Sequence, residues 1–191
     1  MTKAEQRDVI DLLLEQHDQI KALFAEVAAA RGPEKQELFE DLVRLLAVHE
    51  TAEEEVVHPT ARRRLDDGDE IIEMRLQEEE EAKQLLADLY DLGVDEPSFD
   101  ARLQLLAESV IEHAALEETE EFDALREILD SKELARMAGA VQAAEAVAPT
   151  RPHPGLGESA TANVLTGPPL AIFDRVADAV RDWRSKGDQQ R

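Results

Sequence analysis

Apolar residues recur at spacings of three and four along four stretches of the chain, as expected for helices with one buried face. This pattern predicts four long helices, from about Ala4 to Ala30, Glu34 to Arg64, Glu70 to Leu92 and Phe99 to Leu129. Short turn segments with glycine, proline or aspartate separate them. Long helices joined by short connections lie antiparallel, so we expect an all-α, up-down-up-down antiparallel four-helix bundle.

The pattern changes after Asp130. Residues 131–147 are rich in alanine and predict an additional C-terminal helix, and residues 148–169 hold five of the eight prolines and predict an extended Pro-rich linker. Residues 169–186 carry apolar side chains at helical spacing, including Phe173 and Trp183, and predict a short terminal amphipathic helix. We therefore divide the chain into a bundle, residues 1–130, and an extension, residues 131–191, whose terminal helix packs on the bundle, on a second copy in a homodimer or on a protein partner.

Ionisable residues interrupt the apolar stripe near the middle of three helices. His17 does so in the first helix, His49 and Glu53 in the second, and His113 and Glu117 in the fourth. A single histidine on an apolar face is more often a core histidine with a hydrogen-bond partner. Several ionisable groups buried together are costly unless something compensates them, and a bound cation does so.

The spacing of these residues supports a cation site. His49 and Glu53 are four residues apart, as are His113 and Glu117, so each pair shares one helical face. His17 lies 15 residues before Gly32 and His49 lies 17 after it, which places both at one level of an antiparallel pair. The candidates converge on one layer of the bundle.

The two halves of the predicted bundle resemble each other. The segment around His17 matches the segment around Glu79 at an offset of 62 residues, and the two His-xxx-Glu motifs match at an offset of 64. Superposing the halves makes Glu79 the candidate ligand of the third helix, with Glu80 as the next choice. Both lie in an acidic run, residues 78–81, and such runs are more often solvated faces.

Charge and composition narrow the function. The net charge of -23 argues against a nucleic-acid partner, which needs clustered Lys and Arg. The chain has no cysteine, so any metal is bound through His, Asp and Glu. There is no run of about 18 apolar residues and no apolar segment near the N-terminus, so we expect no membrane partner and a cytoplasmic location.

One His in the first helix and HxxxE in the second and fourth resemble the hemerythrin-like HHE cation-binding family, over about residues 4–129. The resemblance implies two iron ions with an oxo or hydroxo bridge, held between the four helices. Carried over, Glu53 and Glu117 bridge the ions, and Glu50 matches a position that some members use as an extra ligand. The terminal ligands are His17, His49 and His113.

The chain departs from the family in the third helix, where the family supplies histidine and this chain offers Glu79. A more anionic ligand set favours ferric iron, argues against reversible oxygen carriage and also permits manganese or zinc. The alternative is a decayed site with one metal or none. His58 is nine residues after His49, about 180° round an α-helix, and is expected outside the site in a surface pair with Glu54.

Two functions follow from the resemblance. The first is a di-iron protein that reacts with peroxide, dioxygen or nitric oxide in stress defence, with catalase-like activity. The second is an iron- or oxygen-sensing module that acts through a partner without catalysis. A plain bundle with a polar core layer is the third reading, and it predicts that replacing His49 or His113 by alanine is neutral or stabilising.

Overall fold

The computed structural model of the protein describes residues 7–147 and Phe173, and all the regular secondary structure in this part of the chain is helical. The first long helix is α1 (Val9–Ala29), and the third is α4 (Gly68–Leu92). Each of the other two long helices consists of three consecutive segments. These are α2 (Pro33–Ala52), π1 (Glu53–Val57) and α3 (His58–Arg64), and then α5 (Phe99–Leu116), π2 (Glu117–Phe122) and α6 (Asp123–Ile128). A final helix, α7, spans Ser131–Val147.

The helix ends follow from local sequence. Asp8 caps α1 through a capping box with Asp11, and Pro33 occupies the first turn of α2. Gly32 and Gly93 adopt φ of 58° and 82°, a region that glycine enters without steric cost. At the start of α4, a Cβ on Gly68 would lie 2.5 Å from the carbonyl oxygen of Ala61, so only glycine allows α3 and α4 to approach this closely.

The apolar core is divided into two clusters by a layer of buried polar side chains. In α1, Leu13 belongs to one cluster and Ile20 to the other, with buried His17 between them. In α4, Glu79 likewise separates Ile72 from Leu86. The polar layer lies between the two apolar clusters and most of its side chains are buried, which raises the cost of any uncompensated charge there.

The two π-helical segments occur at equivalent places. Each begins at the glutamate of a His-xxx-Glu motif, Glu53 in π1 and Glu117 in π2. A π-helical turn holds an extra residue, and such turns concentrate at functional sites. Every residue after the turn is rotated by about one position, roughly 100°, relative to a continuous α-helix.

The all-helical class and the predicted helical segments are confirmed within the described residues. Helix α1 packs against α2 and α5, and α4 packs against α3 and α5. Helix α7 packs against α1 and α2 and contributes Met137 and Val141 to the core. The division at residue 130 stays a prediction, and the predicted linker and terminal helix, apart from Phe173, lie outside the described residues.

Candidate metal centre

Two imidazoles meet at the first half of the polar layer. His17 Nε2 lies 3.0 Å from His49 Nε2 and 3.4 Å from Glu117 Oε2, and His49 Nε2 lies 3.3 Å from Glu53 Oε2. These four side chains are buried and offer ligand atoms that all lie within 4.8 Å of one another. A separation near 3 Å is that of adjacent ligand atoms round an ion with bonds of about 2.1 Å.

A second cluster forms around His58. Its Nδ1 lies 3.5 Å from Glu79 Oε1, and its Nε2 lies 3.8 Å from Glu117 Oε1 and 3.7 Å from Glu121 Oε2. His58, Glu79 and Glu117 offer ligand atoms within 4.8 Å of one another. His113 Nε2 approaches the same oxygen of Glu117, at 3.2 Å.

The expectation that His58 lies on the surface with Glu54 is wrong. Its side chain is 2% exposed and faces the polar layer. The expectation assumed a continuous α-helix from His49 to His58. The π1 turn lies between them and rotates His58 by about a quarter turn towards the site. His58 follows Glu53 by five residues, the spacing that shares a face across a π-helical turn.

Glu117 belongs to both clusters. Its Oε2 faces His17, while its Oε1 faces His58 and His113. A carboxylate whose two oxygens point to two ligand sets has the geometry needed to bridge two cations.

Each of the three predicted histidines forms a hydrogen bond through Nδ1, the ring nitrogen that points away from the other histidines and the shared glutamate. Nδ1 of His17 lies 2.8 Å from Glu118 Oε1, Nδ1 of His49 lies 3.1 Å from Gln16 Oε1, and Nδ1 of His113 lies 2.8 Å from Glu78 Oε2. All three partner atoms are acceptors, so each Nδ1 donates and each Nε2 of a neutral ring presents a lone pair inward. Metal-binding histidines are commonly oriented in this way.

Many buried polar atoms in this layer have no hydrogen-bond partner. They include both carboxylate oxygens of four glutamates, Glu53, Glu79, Glu117 and Glu121, and both ring nitrogens of His58. Because unpaired buried polar groups are costly, such a concentration calls for a compensating species. The donor set consists of imidazole and carboxylate, which suits iron, manganese and zinc. The residues therefore fit a pair of metal ions.

The protonation equilibria reflect the same crowding. Burial raises the pKa of Glu53 and Glu79 well above the usual range, and neighbouring carboxylates raise it further. Burial also raises the pKa of Glu121, to about 7. Burial opposes charge on His113 too, but Glu117 outweighs it and raises the pKa of His113 to about 9. Without metal, the layer holds protons that cations would displace.

A third group of carboxylates lies beside the second cluster. Glu50, Glu54 and Glu79 offer oxygens within 4.8 Å of one another, and Glu54 is exposed. Glu50, the predicted extra ligand, is buried and belongs to this group, and it also lines a small pocket between α1, α2 and α5. Glu80, the other choice for the third helix, is exposed, so Glu79 is the one that faces the layer.

A small pocket connects the layer to the surface between α1, α2 and α5. Its inner wall contains Glu50 and the three predicted histidines, and its outer wall contains Lys21 and Ile111, which is 40% exposed. It has room for about one water molecule. The pocket therefore places a molecule of this size beside the polar layer.

Sequence reasoning missed His58, Glu121 and Arg75. Arg75 is 2% exposed and donates to Glu78 Oε2 at 2.8 Å, so it positions the carboxylate that holds His113. Arg75 is four residues before Glu79 and Glu121 is four after Glu117, so both could have been found by extending the stripes. No signal of spacing alone identifies His58, because the π turn decides its direction.

Comparison with known proteins identifies a family for this chain. The family model of the hemerythrin HHE cation binding domain matches residues 8–125. The chain belongs to this family. Among solved structures, a hemerythrin HHE cation binding domain-containing protein from Mycobacterium kansasii superposes with a TM-score of 0.69 at 20% identity, covering 88% of this chain and 98% of that one. This likeness supports the hemerythrin-like fold.

One curated relative also matches. It is a protein from Nostoc sp. named DNA nickase, 31% identical over 139 residues. The match covers 72% of this chain but spans only 39% of the relative's length. Within the described residues, no helix is long and apolar enough to cross a membrane.

Proposed function

We propose that this hemerythrin HHE domain holds two iron ions and reacts with peroxide, dioxygen or nitric oxide, with catalase-like activity in stress defence. The single observation that carries the proposal is Glu117, whose two oxygens face two separate ligand clusters. The topology that best fits the helix contacts is the antiparallel up-down-up-down bundle expected from the sequence.

We assign His17, His49 and Glu53 to the first ion and His58, His113 and Glu79 to the second, with Glu117 shared. Under this assignment the second ion still receives two imidazoles, because His58 of the second long helix replaces the histidine missing from the third. Glu53 stays a candidate second bridge. Manganese or zinc suits the same donors, and a site with a single metal stays the alternative.

A pair of irons would supply the electrons and the Lewis acidity for reactions of peroxide, oxygen or nitric oxide. The chain's own residues would admit the reactant and handle protons. The pocket between α1, α2 and α5, which has room for about one water molecule, would be the entry point for the reactant. Glu50 lies at its inner wall, and burial raises the pKa of this carboxyl, so it can hold a proton close to an entering molecule.

The test is metal content per chain of freshly purified protein, measured by mass spectrometry together with hydrogen peroxide turnover. We expect about two irons in the parent protein, clearly fewer in His113→Ala, and an unchanged number in the exposed control Glu80→Gln. Peroxide turnover should fall with the iron content. Absence of metal from the parent after anaerobic ferrous loading would contradict the proposal.

The sensing alternative rests on Phe173. Its ring packs against the core, and Lys83 Nζ lies 5.3 Å from the ring centroid and 3.6 Å from Glu79 Oε2. One lysine thus links the C-terminal segment to a proposed ligand. Negligible turnover combined with a metal-dependent change in protease cleavage after residue 147 would favour sensing.

The relative from Nostoc supplies a second candidate activity, DNA nicking, on the strength of its name and its 31% identity. The charge of this chain argues against it, and in the run Arg62–Arg64 two arginines are paired, Arg62 with Asp69 at 3.5 Å and Arg64 with Glu133 at 3.1 Å. Nicking of supercoiled plasmid that survives addition of catalase, which removes peroxide-driven damage, and is lost in Glu117→Gln would support this candidate.

A further inference from the structure

The third carboxylate group lies at the border between the polar layer and solvent. Glu50 is 3% exposed and Glu79 is 1% exposed, while the side chain of Glu54 is 38% exposed. The group therefore runs from solvent at Glu54 to the second proposed ion at Glu79. Glu50 Oε2 and both oxygens of Glu79 are buried without hydrogen-bond partners.

A positive charge already occupies this place. The ammonium of Lys83 contacts Glu54 and lies 3.6 Å from Glu79 Oε2, with its side chain only 15% exposed. Three carboxylates facing one ammonium leave two negative charges when all are ionised, the charge that a divalent cation neutralises. Oxygen-rich carboxylate sites bind hard divalent cations such as manganese.

The internal repeat contains a natural comparison. Lys21 lies 3.6 Å from Glu118 Oε1, and this pair occupies the positions that match Lys83 and Glu54 in the other half. There, however, His17 stands in place of Glu79 and Ala114 in place of Glu50. The pair of lysine and glutamate is thus a feature of both halves, whereas the three-carboxylate group occurs in one.

We propose that Glu50, Glu54 and Glu79 form a third cation site, which takes up a divalent cation from solvent and passes it inward to the dinuclear centre. Lys83 holds this position in the absence of a cation and is displaced when one binds. Glu79 is also a proposed ligand of the second ion, so transfer of the cation inward rests on the proposed function. Binding of a cation at the third site does not depend on that function.

The test uses the full chain and Mn²⁺, followed by electron paramagnetic resonance. After aerobic iron loading, the parent should bind one further, weaker Mn²⁺. Glu54→Gln should weaken that binding by at least about tenfold, and Lys83→Met should strengthen it by about tenfold because the competing charge is gone. The controls are Glu80→Gln, which removes a negative charge outside the group, and Lys21→Met, which removes the matching lysine of the other half. Both should leave the binding of the further Mn²⁺ unchanged.

Kinetics test the uptake role. In stopped-flow loading with ferrous iron, Glu54→Gln should slow uptake several-fold while the final iron content stays the same. Absence of a further Mn²⁺, or equal binding in Glu54→Gln and the parent, would overturn the site. Weakened Mn²⁺ binding with an unchanged loading rate would overturn the uptake role.

These results separate the two proposals. If iron does not load, the Mn²⁺ titration is carried out on the metal-free protein. Absence of a tight pair of ions contradicts the dinuclear centre, whereas a single weak ion sensitive to Glu54→Gln and insensitive to Glu80→Gln still supports the third site.

Discussion

The two halves of the bundle share a scaffold but differ in the chemistry of their ligands. His49, Glu53 and π1 in the first half match His113, Glu117 and π2 in the second at an offset of 64 residues. The outer hydrogen bonds match as well, since Gln16 accepts from His49 as its counterpart Glu78 accepts from His113. The repeat thus extends from backbone geometry to the orientation of the imidazoles.

The two halves differ in the side chains that these shared elements direct towards the polar layer. His17 in α1 corresponds to Glu79 in α4, and His58, which follows π1, corresponds to Phe122, the last residue of π2. The pairing is therefore exchanged: the ring of His17 stacks on Phe122 with centroids 5.7 Å apart, while Glu79 faces His58. Under the proposed assignment, each ion would have two imidazole ligands although the third helix has no histidine. A ligand can change helices when the tertiary structure brings the new position to the same point.

Replacing the residue that both clusters share should cause the strongest loss of metal. Glu117→Gln should reduce the metal content from about two ions per chain to fewer than about one, because a neutral amide is a poor bridge between cations. Metal analysis and the shift of Tm on metal addition provide the measurement. Retention of a full pair would show that Glu117 does not join the clusters.

His58 distinguishes the exchanged pairing from the family pattern. His58→Ala should remove about one of the two ions and leave the first cluster loaded. Adding Glu79→His to that variant should restore the second ion, since it returns a histidine to the third helix. If His58→Ala keeps both ions, then His58 is a core histidine and the second ion has one imidazole fewer.

Loss of a hydrogen bond to the Nδ1 of a histidine should reduce metal affinity less than loss of a ligand does. The reduction should be similar in the two halves. Gln16→Ala and Glu78→Ala should each lower metal affinity by about 10- to 100-fold at its own ion, because each frees one imidazole to rotate. Competition with a chelator measures both. A loss confined to one variant would show that the repeat is structural and not functional.

The smallest effect is a change in stability with pH in the metal-free protein. The pKa values of Glu53, Glu79 and Glu121 are raised in the folded state. Their contribution to the free energy of unfolding is therefore present at low pH and is lost as the pH rises. For Glu121 this loss extends through about pH 7, the folded-state pKa of its carboxyl. The pKa of His113 is raised to about 9, and this group changes the stability in the same direction. The pKa of His49 is lowered by burial and by the neighbouring His17, so His49 changes the stability in the opposite direction.

We therefore expect the Tm of metal-free protein to fall between about pH 6 and about pH 8. The metal-loaded protein should show a flat or opposite dependence, since metal binding requires deprotonated ligands. Thermal unfolding with and without chelator measures the difference. An identical slope in both forms would mean that the buried carboxylates do not hold the metal.

The amino-acid sequence alone predicts the helices and most of the residues of the polar layer. Apolar spacing, the turns and the matching levels of His17 and His49 predict which residues face inward, because an α-helix has a fixed 3.6-residue period. The repeat then selects Glu79 over other glutamates of an acidic run, and the structure buries that one. The buried guanidinium of Arg75 and the carboxylate of Glu121 were within reach of the same reasoning.

The place of His58 depends on the tertiary structure, as does the way in which the two oxygens of Glu117 face two ligand clusters. The direction of His58 depends on the π1 turn. Such a turn arises where tertiary packing and the site favour one extra residue per turn, a choice that local sequence does not reveal. The third carboxylate group likewise combines α4 with both α2 and π1. Sequence periodicity fixes which face a side chain occupies within one helix, whereas the meeting of faces from different helices depends on packing.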